Sequence, residues 1–520
     1  MQLHQIDFAQ AGVFSDTFVD YISGKDALKE FYHQLPHIEN FEQQIALKKT
    51  FSADTRQVLH EALTQQYQQV PAPPQAQIDA LLDKNTFTVT TGHQLNLATG
   101  PLYFVYKIAA AINTAKALKA KYPAYNFIPV YWMASEDHDF AEINHFNLFG
   151  KTYTWNTDQT GAVGRFNPEN VAQIFEQINE PKTDLFAQAY AQHSSLSDAT
   201  RYLVHQLFAN TDLVILDADH TGLKKVFQPI IKEEVLTPAS FDIVRQTSEK
   251  LDQLNYKTQV TPREINFFYL EGNTRERIVW EGEEFKVLNT DLSFSTAQME
   301  ALIEQHPERF SPNVILRPLY QECILPNLSY IGGPSELVYW LQLKGVFEHY
   351  QCPFPLLQPR NFVLFVDHIN HKKKEKLDLS IADLFLDEVT LRKNFVLKNS
   401  ENELKLDQEV EALNKAFASV VQKALEVDKS LEGFIKSEQQ KSLKSLGNIE
   451  KRLKKSEERK LETEINQLLK LKEKLFPNGA PQERKDNILS IYVNNPAFIS
   501  QILEKLNPLS FRMNVLLESF

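Results

Sequence analysis

The chain has 520 residues, of which 43% are hydrophobic, and this length and composition are typical of a folded protein with two or three domains. Its formal net charge of −12 argues against a nucleic-acid-binding protein, because neutralising phosphates requires a basic face. Cys323 and Cys352 are the only cysteines, which excludes a disulfide framework and a cysteine-based zinc site and is typical of a reducing compartment. The sequence has neither a signal-like start nor an apolar run of about 18 residues, so we expect a cytoplasmic protein without a membrane partner.

Residues 1 to about 80 have a mostly helical pattern, and the segment that follows predicts a strand, a helix and a second strand. The first strand is Thr86–Thr90, the helix runs over Leu102–Leu118, and the second strand, Phe127–Met133, is continuously apolar. Strands buried on both faces of a parallel sheet have such apolar runs, and strand–helix–strand units are nearly always right-handed crossovers. The sequence therefore predicts an α/β fold with a parallel sheet.

Polar side chains follow three of the predicted strands. Gly92–Gln94 follow the first strand, Glu136–Asp139 follow the second, and Asp217–His220 follow a third apolar run at Leu213–Leu216. Ligands of open parallel sheets bind beyond the carboxyl ends of the strands. We therefore expect these groups to line one crevice.

The turn from the first strand into the helix combines glycines, hydroxyls and a histidine, where backbone N–H groups and the helix dipole favour a phosphate or a carboxylate. Its spacing is neither a Walker A motif nor a dinucleotide fingerprint, so an anion site and a plain turn are both open. His93 is either a hydrogen-bond donor to a phosphate or leaving group, or a structural residue. The candidate residues of this turn are Thr91, Gly92, His93, Gln94, Thr99 and Gly100.

The second strand ends in a cluster of acidic and imidazole groups. Carboxylates and imidazole can hold a metal ion, or a carboxylate and His138 can deprotonate an amine nucleophile. The structural alternative is that these residues cap a helix and bind neighbouring loops. Electrostatic repulsion among the carboxylates of this cluster is difficult to explain by a structural role alone, so we favour a functional role. The spacing of the residues matches no established metal-binding signature. We therefore predict Asp137, His138 and Asp139 as catalytic residues and assign no metal.

A third motif lies between the predicted strands Val314–Leu316 and Val363–Val366. Gly332–Gly333 would let a ligand approach the backbone closely, and Glu336 begins a helix. A tight turn before an amphipathic helix is the alternative. Arg360 would bring a guanidinium group to an acidic substrate, or would lie on the surface.

The later part of the chain is rich in Lys, Glu, Leu and Gln and has a heptad seam. Apolar or small residues recur at alternating spacings of four and three from Leu406 to Phe434, and a second seam shifts its register before Leu475. Two helices joined near 435–447 would form an antiparallel arm, and one continuous helix is the alternative. The seam predicts a homodimer, with an arm folded on itself in a monomer as the alternative.

These patterns divide the chain into three parts. The core covers 1–390 and carries a small antiparallel insertion at about 255–295, where aromatic and polar residues alternate between turn signals. The coiled-coil arm covers 391–476. A helical segment over 477–520 is expected to pack back on the core.

Three separated motifs resemble the bacillithiol biosynthesis cysteine-adding family, and the resemblance spans most of the chain, including the coiled-coil arm. The motifs are Thr91–Gln94 with Thr99–Tyr103 and Lys107; Tyr131–Phe140 with Glu142–His145; and Arg317–Pro318 with Gln321, Leu325–Pro326 and Gly332–Glu336. This family often has Gln where the present chain has His93, which puts a catalytic histidine there in doubt as a family trait.

The resemblance implies a Rossmann-like core related to class I aminoacyl-tRNA synthetases and other nucleotidyl-transferring ligases, with inserted connecting segments and a coiled coil used for dimerisation. It implies a ligase that adds L-cysteine to the amine of glucosaminyl-malate in the last step of bacillithiol biosynthesis. No motif fixes the cofactor, although the resemblance makes ATP or another nucleotide plausible. Two alternatives are another adenylate-forming or nucleotidyl-transferring enzyme on the same core, and a coiled-coil interaction protein with a vestigial crevice.

On this basis we assign catalytic roles to Asp137, His138, Asp139 and His93. The predicted substrate- or nucleotide-binding residues are Thr91, Gly92, Gln94, Thr99, Gly100, Lys107, Trp132, Glu136, Asn144, Arg317, Gly332, Gly333, Glu336 and Arg360.

Overall fold

The computed structural model describes residues 1–178 and 180–519, so Asn179 in the predicted core and Phe520 in the predicted last segment lie outside the described residues. The chain divides into two compact units. The first unit comprises Leu3–Leu364 and Pro481–Leu516, and the second comprises Phe365–Ala480.

The strands and helices have the following bounds. The strands are β1 Gln2–Ile6, β2 Thr86–His93, β3 Asn126–Met133, β4 His145–Leu148, β5 Lys151–Thr154, β6 Val214–Asp217, β7 Phe267–Glu271, β8 Thr274–Glu281, β9 Glu284–Val287, β10 Ser293–Phe294, β11 Phe310–Pro312, β12 Asn327–Gly332, β13 Leu356–Pro359, β14 Phe362–Val366 and β15 Met513–Leu517. The helices are α1 Phe8–Ala11, α2 Asp16–Ile22, α3 Phe41–Lys48, α4 Ala53–Gln66, α5 Gln75–Ala80, α6 Tyr103–Lys121, α7 Phe140–Ile143, α8 Ala172–Glu176, α9 Asp184–Ala191, α10 Leu196–Leu207, α11 Thr221–Leu236, α12 Ser240–Gln253, α13 Thr296–Gln305, α14 Arg317–Ile324, α15 Pro334–Trp340, α16 Lys344–His349, α17 His368–Lys376, α18 Glu388–Asn399, α19 Asp407–Val427, α20 Leu431–Lys460, α21 Glu462–Leu475, α22 Leu489–Tyr492 and α23 Phe498–Lys505.

The first unit is built on a parallel sheet with the strand order β13-β12-β2-β3-β6. The chain proceeds outward from β2 to β3 and β6, and then returns to the other side of β2 with β12 and β13. Connections therefore leave β2 and β12 in opposite directions, and this topological switch point opens a crevice beyond their carboxyl ends. The predicted α/β fold with a Rossmann-like parallel sheet is confirmed.

The central strand β2 is rich in threonine although it is buried, and a polar network accounts for this composition. The hydroxyl groups of Thr88 and Thr90 donate to Asn327 Oδ1 at 3.2 and 2.8 Å. Asn327 Nδ2 in turn donates to Glu322 Oε1 at 2.6 Å, and Lys48 Nζ pairs with Glu322 Oε2 at 3.0 Å. Because the partners satisfy each other, the strand keeps its polar groups without an unpaired buried charge.

One predicted strand is wrong, whereas two others are confirmed as β6 and β14. The residues Val314–Leu316 form a turn between β11 and α14. The side chain of Asn313 accepts a hydrogen bond from the Ile315 N–H at 2.9 Å, and Pro318 favours the first turn of a helix. The turn formed by Asn313 and the proline at the start of α14 therefore prevent the apolar residues Val314–Leu316 from forming a strand.

A second, antiparallel sheet in the order β10-β9-β8-β7-β11 lies in the same unit. Gly272 and Gly282 have φ angles of 55° and 64° at the hairpin turns on either side of β8, a conformation that glycine adopts without steric cost. The sheet brings Arg275 and Arg277 of β8 to the crevice.

The second unit contains an antiparallel pair of helices, α19 and α20, joined at 428–430. Gln439 Nε2 of α20 donates to Asn414 Oδ1 of α19 at 2.7 Å. The alternative of one continuous helix and the expected joint at 435–447 are both wrong. The Asp428 carboxylate accepts a hydrogen bond from the Ser430 N–H at 2.8 Å and so forms a turn. The apolar spacing continues through this turn and therefore did not indicate it.

The segment after the second unit returns to the first unit. Asn487 Nδ2 donates to the carbonyl oxygens of Ala98 and Gly100 at 2.8 and 2.6 Å, and the Leu102 N–H donates to Asp486 O at 2.8 Å. The returning segment therefore covers the start of α6. Within residues 1–178 and 180–519, no helix combines the length and the apolar character that crossing a membrane requires.

Candidate active site

Two adjoining cavities occupy the crevice at the carboxyl ends of the parallel strands. The first lobe, of about 570 Å³, lies at the switch point between the ends of β2 and β12. The second lobe, of about 460 Å³, lies between the end of β3 and the antiparallel sheet. Both lobes are lined by Trp132, Ala134, Val314 and Arg317, so they form one two-lobed cleft.

An ion pair between the buried Lys107 and the partly exposed Glu336 forms one wall of the first lobe. Lys107 Nζ donates to both carboxylate oxygens of Glu336, at 2.9 and 2.8 Å, and to the carbonyl oxygen of Gly92. Glu336 also accepts from the Tyr330 hydroxyl at 2.9 Å and from the Gly333 N–H at 2.6 Å. Burial alone would raise the pKa of Glu336, but Lys107 and these hydrogen bonds lower it to about 2. Glu336 is therefore ionised, and its carboxylate oxygens already accept several hydrogen bonds. A structural role fits this carboxylate better than the role of a proton acceptor.

Gly92 is required by the close approach of β2 to the end of β12. A Cβ atom at this position would lie 3.2 Å from the Tyr330 hydroxyl and 3.6 Å from Arg317 Nη1. A larger residue would therefore push these side chains into the first lobe.

Arg360 lines the first lobe but is bound to another residue of the chain. Its Nη1 and Nη2 donate to the two carboxylate oxygens of Glu483 at 2.9 and 2.7 Å. The guanidinium group also lies over the rings of Tyr103 and Phe362, at 5.2 and 4.2 Å from their centroids. A carboxylate of a substrate would have to replace Glu483 at this fork.

We expect Arg360→Met to lower the free energy of unfolding by about 3–5 kcal/mol, because Glu483 would be left as an uncompensated buried charge. The midpoint of urea unfolding, followed by circular dichroism, measures this change. The double variant Arg360→Met/Glu483→Met should recover part of the loss. A single variant as stable as the exposed control Arg245→Met would contradict the assigned role of the pair.

Arg317 lies where the two lobes meet and lines both of them. Its guanidinium group lies 5.8 Å from the centroid of the Trp132 ring and 5.5 Å from that of Tyr330. Nη1 donates to Gln321 Oε1 at 3.1 Å, whereas Nη2 has no hydrogen-bond partner among the described residues. Arg317 therefore offers a charged donor to a ligand that spans the lobes.

His93 is a neutral imidazole at the rim of β2. Burial lowers its pKa to about 3, and the charge of Lys107 acts in the same direction. Its ring lies 5.3 Å from Tyr103 and 5.2 Å from Phe104, and Nε2 has no hydrogen-bond partner among the described residues. His93 can accept or donate one hydrogen bond to a ligand without carrying charge.

The depressed pKa of His93 predicts a loss of stability in acid. The unfolded chain binds a proton at His93 below about pH 6.5, whereas the folded chain does so only near pH 3. We therefore expect His93→Gln to be more stable than the wild type by about 1–2 kcal/mol at pH 5, relative to the difference at pH 7.5. Urea unfolding at the two pH values measures the change, with the exposed His4→Gln as control. A difference that does not vary with pH would show that folding does not lower the pKa of His93.

Glu136 is the carboxylate of the second lobe with the highest affinity for a proton. Burial raises its pKa, and the ion pair with Lys224, at 2.5 Å from Nζ to Oε1, offsets only part of this effect. Lys224 is fully buried and also donates to the carbonyl oxygen of Phe310 at 2.7 Å. A carboxylate with a raised pKa in a cleft is a candidate proton acceptor.

Asp137 and His138 are less suited to that role. Burial alone would raise the pKa of Asp137, but the hydrogen bond from Gln94 Nε2, at 2.8 Å, and the charge of Arg275 lower it. His138 Nδ1 accepts a hydrogen bond from Arg275 Nη1. Because a guanidinium group only donates, the neutral imidazole carries its hydrogen on Nε2 and acts there as a donor.

Six predicted site residues lie outside the lining of both lobes: Thr91, Thr99, Gly100, Asp139, Asn144 and Gly332. The Thr91 hydroxyl donates to Ile331 O at 2.8 Å, and Asp139 accepts from the Glu142 N–H at 3.3 Å as the cap of α7. Asn144 pairs with His145, and the carbonyl oxygen of Gly100 accepts from Asn487 Nδ2. Thr99 is buried, and its hydroxyl group has no hydrogen-bond partner among the described residues. Gly332 contributes only its carbonyl oxygen, which accepts from the Arg360 N–H at 3.0 Å. The start of α6 is therefore occupied by protein, and the anion site expected there is not open to the cleft.

The structure adds residues that the sequence did not reveal. Arg275 and Arg277 come from the antiparallel sheet, Lys224 from α11, and Glu483 from the returning segment. Only Lys224 could have been noticed in the sequence, because it lies next to Leu223 among the buried residues of α11. Within the described ranges, no three His, Cys, Asp or Glu side chains are placed to hold a metal ion together.

Two family profiles match nearly the whole chain. Residues 1–361 match "Bacillithiol biosynthesis BshC, N-terminal Rossmann-like domain" and residues 363–518 match "Bacillithiol biosynthesis BshC, C-terminal coiled-coil domain". The chain belongs to the BshC family. The family assignment confirms the resemblance drawn from the three sequence motifs.

Curated BshC relatives match over almost their full length. Proteins named "Putative cysteine ligase BshC" from Flavobacterium psychrophilum and Cytophaga hutchinsonii are 44% and 40% identical, covering 98% and 99% of this chain and 98% of each relative. A relative of the same name from Bacillus cereus is 28% identical over 98% of both chains. The chain is therefore an enzyme of a ligase family.

One solved structure also matches. It is described as a putative arginyl tRNA synthetase from Campylobacter jejuni, with 11% identity over 81% of this chain and 94% of that chain. Its TM-score of 0.21 is too low to indicate a shared fold.

Proposed function

We propose that this BshC-family chain joins the carboxyl group of L-cysteine to the amine of glucosaminyl-malate and so completes bacillithiol. The observation that carries the proposal is the two-lobed cleft, in which Arg317 offers an unpaired donor at the junction and Glu136 offers a carboxylate with a raised pKa. The unpaired donor distinguishes Arg317 from Lys107 and Arg360, which are held in ion pairs. It suits Arg317 to binding a carboxylate of the malate group.

The bond-forming step needs a proton acceptor close to the amine. The amine nitrogen attacks the activated carboxyl carbon of cysteine, the C–N bond forms, the bond to the leaving group breaks, and the nitrogen loses one proton. We assign that proton to Glu136, because Asp137 has a lowered pKa and His138 presents a donor. We assign to neutral His93, which lines the first lobe, a hydrogen bond with the reacting carboxyl group.

Product formation tests the proposal directly. Purified chain is incubated with L-cysteine and glucosaminyl-malate, with and without ATP and magnesium, and products are detected by mass spectrometry. We expect the cysteinyl amide, and its dependence on ATP identifies the activating group. If glucosaminyl-malate is recovered intact under every condition, the assigned reaction is wrong, and formation of an adenylate from another acid would favour a different adenylate-forming enzyme.

We also propose that the chain forms a homodimer through the second unit. Along α19 no side chain is buried, and apolar residues on both helices remain exposed, including Val427 at 83% and Phe434 at 65%. An exposed apolar face with heptad spacing is the surface that a second coiled-coil copy covers. The contact would be self-complementary if the dimer is two-fold symmetric.

Phe434→Glu combined with Ile449→Glu in the full chain is therefore expected to convert a dimer to a monomer, since charges on an apolar contact surface cost desolvation. Size-exclusion chromatography with light scattering gives the mass. The exposed polar position Gln440 supplies the control Gln440→Glu, which should remain dimeric. A wild type that is monomeric at all concentrations measured would exclude the dimer.

A further inference from the structure

A separate polar cavity lies beyond the carboxyl end of the edge strand β6 and shares no lining residue with the two lobes. Its volume is about 470 Å³, which is large enough for a small-molecule ligand. The end of α4, the start of α10 and the turn at Gly164–Arg165 enclose it. Its uncharged lining is rich in amide and hydroxyl groups, from Gln65, Gln66, Gln68, Gln69, Ser194 and Ser195.

The charged groups of this cavity are largely paired with one another. Arg165 donates to both carboxylate oxygens of Asp219, at 2.7 and 2.9 Å, and Arg201 Nη1 donates to Asp198 at 2.6 Å. Asp217 accepts from the Ser135 hydroxyl. Three carboxylates thus stand against two guanidinium groups, so the cavity disfavours a phosphate or another anion.

Two buried nitrogen atoms of the residues lining this cavity lack a hydrogen-bond partner among the described residues. Arg201 is 2% exposed, and its Nε has no hydrogen-bond partner among the described residues. The same is true of His220 Nδ1. A buried donor without an acceptor costs about 1–3 kcal/mol, so an oxygen atom of a ligand at Arg201 Nε would recover this energy.

We propose that this cavity binds a polyhydroxylated ligand without negative charge, a sugar or an amino sugar. Sugar hydroxyls both donate and accept, which matches a lining of amides, hydroxyls, imidazoles and carboxylates. A hydroxyl oxygen accepts from Arg201 Nε, and the excess carboxylate accommodates an amine. The site is distinct from the two-lobed cleft and does not depend on the reaction proposed there.

The cavity is connected to the second lobe through Ser135. This residue lines the second lobe, donates its hydroxyl hydrogen to Asp217, and accepts from the Gly164 N–H at 2.8 Å. Glu136 is the next residue in the chain.

Binding of glucosamine and glucose to the full chain, measured by isothermal titration calorimetry, tests the site. Ser194 is exposed on the rim, so Ser194→Trp fills the entrance without disturbing the core, and the exposed Ser500→Trp is the matched control. We expect saturable binding by the wild type and by Ser500→Trp, and an affinity lower by about tenfold or more in Ser194→Trp. Arg317→Met should still bind the sugars, which separates this site from the cleft.

Three results would overturn the proposal. They are the absence of saturable binding of either sugar, equal binding by Ser194→Trp and Ser500→Trp, and tighter binding of inorganic phosphate or glucose 6-phosphate than of the uncharged sugar. Loss of sugar binding in Arg317→Met alone would place the sugar in the cleft instead. None of these outcomes depends on whether the cysteinyl amide is formed.

Discussion

Arg317→Met is expected to lower kcat/KM for the acceptor by about 10- to 150-fold, the loss that follows removal of a hydrogen bond to a charged group. The reason is the position of Arg317 between the lobes, stacked near Trp132 and Tyr330, with Nη2 unpaired among the described residues. Steady-state kinetics with glucosaminyl-malate as the varied substrate measure the effect.

Arg317→Lys provides the matched comparison. It keeps the charge but loses the planar fork, so it should recover only part of the activity if the ligand is a carboxylate bound by two N–H groups. Arg245→Met, on an exposed helix face, should have no effect. Equal kcat/KM values for Arg317→Met and the wild type would remove Arg317 from substrate binding.

Glu136→Gln is expected to lower kcat by about 100- to 10,000-fold while KM for the acceptor changes little, because general base catalysis contributes on that scale. The amide preserves the shape of the side chain, and Lys224 keeps its hydrogen bond to Phe310 O. Single-turnover measurements of amide formation separate this effect from product release. A fall in kcat for Asp137→Asn, with Glu136→Gln unchanged, would transfer the role to Asp137.

Lys224→Met gives an independent readout of the same assignment. Removing the ion pair raises the pKa of Glu136 further, because only the weaker effect of the Arg275 charge then opposes burial. A base must be deprotonated to act, so the acidic limb of the pH–kcat profile should move to higher pH. The neighbouring Lys225, which is exposed, supplies the control Lys225→Met. An unshifted acidic limb in a folded Lys224→Met variant would exclude Glu136 as the base.

The sequence predicted the parallel sheet because its signals are local. The apolar run of β3 and the helix pattern of α6 each fall within one window, and both elements appear close to the predicted bounds. The polar residues at the ends of β2 and β3 line the cleft as expected, since parallel strands end at one edge. The same expectation is wrong for Asp217, Asp219 and His220, which line a separate cavity beyond the end of β6.

The partners of those residues could not be predicted, because they come from distant parts of the chain. Glu483 lies 123 positions from Arg360, and Glu336 lies 229 positions from Lys107. Arg360 was therefore expected to meet a substrate, although an internal carboxylate holds it. The failed prediction of an anion site at the start of α6 has the same cause. Asn487 and Asp486 form hydrogen bonds there with backbone groups that the local sequence pattern had suggested were free to bind an anion.

Glu483 binds Arg360 and also accepts a hydrogen bond from the Val363 N–H at 2.9 Å. These contacts constrain the order of folding during synthesis. The first unit needs Pro481–Leu516, which the ribosome makes only after the whole of Phe365–Ala480. A nascent chain that ends before residue 481 exposes Arg360 without its carboxylate and leaves the start of α6 uncovered. The first unit is therefore completed only after the second unit has been synthesised.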